Sequence, residues 1–218
     1  MRPLDALVAA DPAAAAFPGV AVGVVTSNAD PKHLARVKVR FPALSDTVES
    51  AWASVVTPMA GAQRGLYLIP EVGDAVLVAF ELGDVNRPFV LGGFWAGPQK
   101  PPQGDDPHND QRLIRSRSGH VVRLDDTDGA ERIQIVDKSG KNSITIETTG
   151  NKITVKGAGP VTVTTDGDLE LSAQGAVKVS GRQVEISAKQ QLSLSGQARA
   201  ELTSSGALKV QGSTVDIN

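Results

Sequence analysis

The chain contains no cysteine, which excludes a disulfide framework and a thiolate-ligated zinc centre. Its three histidines, His33, His108 and His120, stand far apart and at no metal-ligand spacing, so they read as surface or packing residues. No apolar run approaches the roughly 20 residues of a membrane span, so no stable membrane anchoring is expected. With a net charge of −2 the chain has no basic footprint for nucleic acid. The first 17 residues are alanine-rich but carry Asp5, Asp11 and a single basic residue, Arg2, which makes a poor secretory signal. They read either as a short helix over Leu4–Ala10 or as an arm. Aromatics are scarce and confined: all eight (Phe17, Phe41, Trp52, Tyr67, Phe80, Phe89, Phe94 and Trp95) fall in the first 95 residues. That boundary divides the 218-residue chain into two regions of different construction.

What fills the aromatic-free region is a repeat. Two aliphatic residues flank one intervening residue in Ile133-Gln134-Ile135, Ile144-Thr145-Ile146, Ile153-Thr154-Val155 and Val161-Thr162-Val163. The pattern continues through Leu169/Leu171, Val177/Val179, Val184/Ile186, Leu192/Leu194, Ala200/Leu202, Leu208/Val210 and Val215/Ile217. Successive pairs start 11, 9, 8, 8, 8, 7, 8, 8, 8 and 7 residues apart, with glycine in most of the intervals. Period-two alternation means a strand with one dry face, and a step near eight means strand, turn, strand, turn. The expectation is a thin β-solenoid.

Such a unit is marginal in a single chain. Ordering eight residues costs roughly 8–16 kcal/mol, while burying two aliphatic side chains returns about 3–6 kcal/mol. Three chains wound about a threefold axis would bring each pair against its counterparts and give every strand a partner. The expected trimer core is Ile153, Val155, Val161, Val163, Leu169, Leu171, Val177, Val179, Val184, Ile186, Leu192 and Leu194. An ordinary single-chain β-helix is the alternative, although those usually bury more residues per turn. The outward positions, such as Glu170, Lys178, Glu185 and Lys209, carry mixed charge that keeps a needle soluble.

Residues 19–97 read as a small β domain. Ala35–Phe41 alternates cleanly, with Val37, Val39 and Phe41 on one face, and Gly19–Val25 alternates weakly. Ala51–Thr57, Gly65–Ile69, Ala75–Glu81 and Pro88–Gly92 are further strand candidates, separated by turn residues at Asn28–Pro31, Gly61, Pro70–Asp74 and Gly83-Asp84. Five or six short strands in this length suggest a closed barrel, with an OB-fold as one candidate among small barrels. The expected organisation is an arm over 1–18, a barrel over 19–97, a proline-rich strut over 98–115 and a spike over 116–218.

Several of these stretches resemble the phage baseplate protein V family. They are Gly23–Asn28, Leu34–Pro42, Ala51-Trp52-Ala53, Pro58–Gly61, Pro70–Phe80 and Gly83–Pro88. The stretch Ser116–Asp126 is similar to the start of the spike helix in the same family and in type VI secretion spike proteins. The resemblance implies an all-β chain, an OB-fold followed by a trimeric triple-stranded β-helix. It implies a non-enzymatic central spike of a contractile tail or phage-tail-like particle, assembled in the bacterial cytoplasm and puncturing the target envelope on sheath contraction. The partners it implies are a hub protein at the N-terminal end, expected here as a separate chain, and a PAAR-like tip protein at the C-terminal end. The repeat runs in register to Ile217, so Leu208, Val210, Val215 and Ile217 are the residues expected beneath that tip.

Catalytic constellations are weak. Asp125, Asp126 and Asp128 beside Gly129 suit a tight turn; a glycosidase carboxylate pair is the sharp alternative, but an eight-residue repeat offers no sugar cleft. The repeat's serines have no histidine nearby to activate them. Trp52, Tyr67 and Phe80 read either as barrel core or as a base-stacking platform of a nucleic-acid or oligosaccharide binder. No cofactor is expected. A trimeric adhesin or tail-fibre enzyme is a third class, which would need a secretion signal or an acidic cleft.

Overall fold

The computed structural model describes residues 17, 19–44, 47–104 and 106–217. The N-terminal segment, for which a helix over Leu4–Ala10 or an arm was in question, lies outside the described residues. The chain divides into two compact units, Met1–Pro160 and Val161–Asn218.

Among the described residues the first unit holds twelve strands: β1 (Val20–Ser27), β2 (Arg36–Arg40), β3 (Ala53–Val55), β4 (Ala60–Gly61), β5 (Arg64–Gly65), β6 (Ala75–Phe80), β7 (Pro88–Gly93), β8 (Gln111–Arg115), β9 (Val121–Asp125), β10 (Arg132–Val136), β11 (Ser143–Glu147) and β12 (Lys152–Lys156). Five of them close a barrel in the order β1-β2-β3-β7-β6. Antiparallel pairing of β1 with β6 seals it, and β3 lies parallel to β7, an arrangement consistent with an OB-fold. Alternation produces the core directly: Val25, Val37, Val39, Ala53, Val76, Val78, Phe80 and Val90 point inward and are buried. Phe80 meets Phe17 edge-on at 5.0 Å and Phe41 at 5.7 Å, filling one end. Bulges between Val25 and Ser27, and between Leu77 and Val78, add the twist that closure demands. Gly23 sits where β1 presses on β2; a β-carbon there would lie 2.1 Å from Val39 Cγ1.

One expected barrel strand differs. Gly65–Ile69 contributes only Gly65 to a short β4–β5 ribbon, and Leu66, Tyr67 and Leu68 run exposed beyond it. The Leu66 amide bonds back to the Met59 carbonyl and the Thr57 hydroxyl donates to the Leu66 carbonyl, so this stretch is held to its own ribbon, outside the barrel order.

Strands β8 to β12 form a second sheet, an antiparallel meander in which each strand pairs with its sequence neighbour. β8 falls inside the stretch expected as a strut. The pairs Ile133/Ile135, Ile144/Ile146 and Ile153/Val155 therefore lie in hairpins of one chain, where a uniform solenoid was expected. The reason is turn length and turn chemistry. Steps of 11 and 9 leave room for reversal, and Gly129, Gly140 and Asn151 supply left-handed backbone at φ 71°, 70° and 44°.

In the second unit, no strand forms among the described residues between 161 and 217, and every side chain there is exposed. The hydrogen bonds within it are local turns, such as Gly167 N–H to Thr165 Oγ1 at 3.1 Å and Gly206 N–H to Ser204 Oγ at 3.1 Å.

Candidate assembly interface

Register turns the second sheet into a two-faced plate. Cα partners Leu124↔Ile133, Ile133↔Ile146 and Ile146↔Ile153 form one row, and Ile114↔Val122, Val122↔Ile135, Ile135↔Ile144 and Ile144↔Val155 form the next. Nine aliphatic side chains thus share one face, and all nine are exposed in the single chain. An open groove of about 440 Å³ runs across it, lined by Ile114, Val122, Ile135, Ile144 and Val155. Half-exposed side chains of this size present on the order of 700 Å² of apolar surface per chain, more than a soluble monomer commonly leaves bare. It approaches the ~800 Å² per partner of a stable interface.

The opposite face mixes Leu113, Val121 and Val136 with polar side chains and is organised at one end around Asp125, although Gln111 Oε1 and Arg123 Nε there are buried without a hydrogen-bond partner. Asp125 is buried and accepts from Thr127 Oγ1 (2.7 Å), Gln111 Nε2 (2.6 Å) and Arg132 Nε (3.0 Å). The Thr127 hydroxyl leads the effects that bring its carboxyl down to about 2, with the Thr127 amide, Arg132 and Gln111 adding to it against the opposing push of burial. Asp126, next in sequence, points elsewhere and pairs with Arg112 at 2.6 Å. Asp125 and Asp126, two of the three carboxylates from which a glycosidase pair could have been drawn, are thereby tied to guanidinium groups at a strand end. The β10–β11 turn is built the same way: Asp137 accepts from Ser139 and Asn142, and the Ser139 hydroxyl leads in lowering its carboxyl to about 2.

The barrel's basic strand is occupied as well. Arg36 meets Asp30 in a two-pronged pair, Nε to Oδ2 at 2.9 Å and Nη2 to Oδ1 at 2.7 Å, while the amides of Lys32 and Leu34 complete the buried carboxylate's shell. The Arg36 guanidinium is the main cause holding the Asp30 carboxyl well below the usual range. Lys38 pairs with Glu49 at 3.1 Å, and Arg36 and Lys38 both lie 5.8 Å from the centre of the Trp52 ring. Phe80 is core and Tyr67 is exposed on the ribbon loop, so the three rings form no common stacking platform. His33 and His108 are exposed, and His120 accepts the Lys138 amide through Nδ1 at 3.2 Å. Among the described residues no group of three or more metal-ligating side chains comes together.

The repeat residues are placed as follows. The twelve from Ile153 to Leu194 named above are 52–80% exposed, so one chain makes no core from them. Ile153 and Val155 lie on the apolar face of the sheet, and the other ten lie in the second unit. Leu208, Val210, Val215 and Ile217 are 48–91% exposed. Sequence reasoning missed Ile114, Val122 and Leu124 on the apolar face; the alternation Val122-Arg123-Leu124 was the available signal.

Residues 21–95 match the family described as the type VI secretion system/phage-baseplate injector OB domain. The chain is 32% identical over 101 residues to the type VI secretion system spike protein VgrG2a of Pseudomonas aeruginosa, covering 42% of this chain and 12% of that protein. It is 29% identical over 110 residues to the spike protein VgrG3 of Vibrio cholerae, covering 46% and 11%. It is 27% identical over 113 residues to the actin cross-linking toxin VgrG1 of Vibrio cholerae, covering 50% and 10%. The chain thus spans about a tenth of the length of these relatives. A closed five-stranded barrel with parallel β3 and β7, over the same residues that match, makes this chain the bearer of a phage-baseplate/type VI secretion injector OB domain, distantly similar to the VgrG spike proteins.

Proposed function

We propose that the chain is the trimeric central spike of a contractile phage tail or phage-tail-like injection system, a structural punch with no catalytic role. The observation that carries this reading is the unpartnered apolar surface. A five-stranded sheet with one aliphatic face bare is followed by a repeat whose aliphatic pairs are exposed and whose backbone forms no strand in one chain. Both features call for the same remedy, two further copies. Three sheets meeting through their apolar faces would bury the two aliphatic rows. Residues 161–217 would find strand partners only on the other chains, as a triple-stranded β-helix.

Mechanical function follows from that architecture. A needle of interwound strands distributes an axial load over hydrogen bonds of all three chains, and its interchain contacts make unfolding slow. In this reading the trimer core is Ile153, Val155, Val161, Val163, Leu169, Leu171, Val177, Val179, Val184, Ile186, Leu192 and Leu194. The barrel faces a hub protein. Leu208, Val210, Val215 and Ile217, three copies each, form an apolar platform for a PAAR-like conical tip protein. The particle forms in the bacterial cytoplasm and acts on a target envelope. Imaging of particles purified from producing cells, with the chain carrying a bound tag label, tests the assignment. The label is expected on the axis at the baseplate end of the tail, and particles that lack the chain altogether would refute it.

A further inference from the structure

We infer that the β8–β12 sheet sets the register of the three chains, and that residues 161–217 pair between chains only after it has done so. The inference rests on the trimeric needle proposed above and concerns how that needle assembles.

Two kinds of segment follow one another in the sequence. Each strand from β8 to β12 pairs with its immediate neighbour in the same chain, through short turns, so the sheet's hydrogen bonds need no second chain. Local pairing of this kind forms quickly. Residues 161–217 form no strand in one chain, so their ordering waits for partners.

The repeat is also poorly able to choose its partners' alignment. Sliding one chain by eight residues keeps aliphatic opposite aliphatic at five of the seven levels, Val177 opposite Leu169 and Val179 opposite Leu171 among them; only the two seven-residue steps break the match, setting Glu185 opposite Val177 and Asp216 opposite Leu208. Strands whose shifted pairings look alike specify register weakly. The sheet has no such ambiguity. Its turns differ in length, its apolar rows have fixed ends, and the knot of Asp125 with Gln111, Thr127 and Arg132 occurs once. Three sheets docking through these rows therefore select one alignment. Docking also holds the three repeats at high effective concentration, which converts a termolecular search into local zipping away from Pro160.

Pulse-labelled hydrogen exchange with mass spectrometry, during refolding of the full-length chain from denaturant, tests the order. Amides of β9 to β11 are expected to gain protection first, in a phase whose rate does not depend on protein concentration. Amides of 161–217 should follow, together with trimer formation and with a concentration-dependent rate. Two full-length variants give an independent reading. Leu194→Asp is expected to leave a trimer with β9–β11 protected and to speed exchange around and beyond Val184 by at least tenfold. Ile144→Asp is expected to leave protection of β9–β11 in place and to abolish both the trimer and the protection of 161–217. Protection of the repeat before or together with the sheet, or protection of 161–217 retained in Ile144→Asp, would overturn the inference while leaving the needle intact. A wild-type chain that stays monomeric at micromolar concentration would overturn the needle itself.

Discussion

Adjacent residues on opposite faces of β10 give the sharpest perturbation. Ile135 lies in the apolar row between Val122 and Ile144, and 51% of its surface is exposed in one chain. Burying that remainder on assembly removes about 90 Å² of apolar surface from water, worth roughly 2 kcal/mol per chain at ~25 cal/mol per Å². Threefold symmetry makes this about 7 kcal/mol per needle. Ile135→Asp forfeits that term and places three unpaired carboxylates at one level of the axis, each costing several further kcal/mol. The trimer should therefore fail to form at micromolar concentration, or melt more than ~15 °C lower. Gln134→Asp, one residue away on the other face and opposite Arg123, should retain the trimer and lose less than ~1 kcal/mol per chain, mainly through strand propensity. Gel filtration with light scattering, followed by thermal melts, reads both variants. Equal shifts for the two, or an Ile135→Asp trimer of wild-type stability, would refute the assignment of the faces.

Three further outcomes are expected. Gly23→Ala should destabilise the barrel by about 2 kcal/mol or more, because its β-carbon would collide with Val39 Cγ1 and the Arg40 carbonyl; a melt within 1 °C of wild type would count against the closed barrel. Asp125 is held at about 2 against an ordinary 3.8, so its stabilisation is present above pH 4 and is lost as pH falls toward 2. Stability should accordingly be flat from pH 7 to about 4 and decline below, and Asp125→Asn should flatten that decline while lowering the melt at pH 7. Replacing both Val215 and Ile217 with serine should leave the trimer intact but abolish co-purification with the proposed tip protein from producing cells; retained co-purification would count against the proposed interface.

The barrel was largely legible because its signals are local. Val37, Val39 and Phe41 alternate between turn residues, and burial follows from the alternation alone. Gly65–Ile69 misled because its aliphatic run carries no information about which neighbour holds it, and the Met59 and Thr57 bonds that bind it to the ribbon are tertiary. β8 was hidden because Leu113 and Ile114 are adjacent, and only pairing with β9 reveals that they serve opposite faces. The hairpin meander was hidden for another reason. Apolar-x-apolar triplets suit a hairpin and an interchain repeat equally well, and the distinction lies in the turns, where Gly129, Gly140 and Asn151 take left-handed backbone. The Asp30–Arg36 pair looked like plain turn chemistry, since Asp30-Pro31 opens a loop and nothing in the spacing shows that the loop folds its carboxylate inward.

The molar mass of the full-length chain in solution bears on the central claim most directly. Gel filtration coupled to light scattering at micromolar concentration should give three times the 22.7 kDa chain mass, with the early elution of an elongated particle. A compact species of one chain mass, with the apolar face of β8–β12 and the repeat left bare, would contradict it.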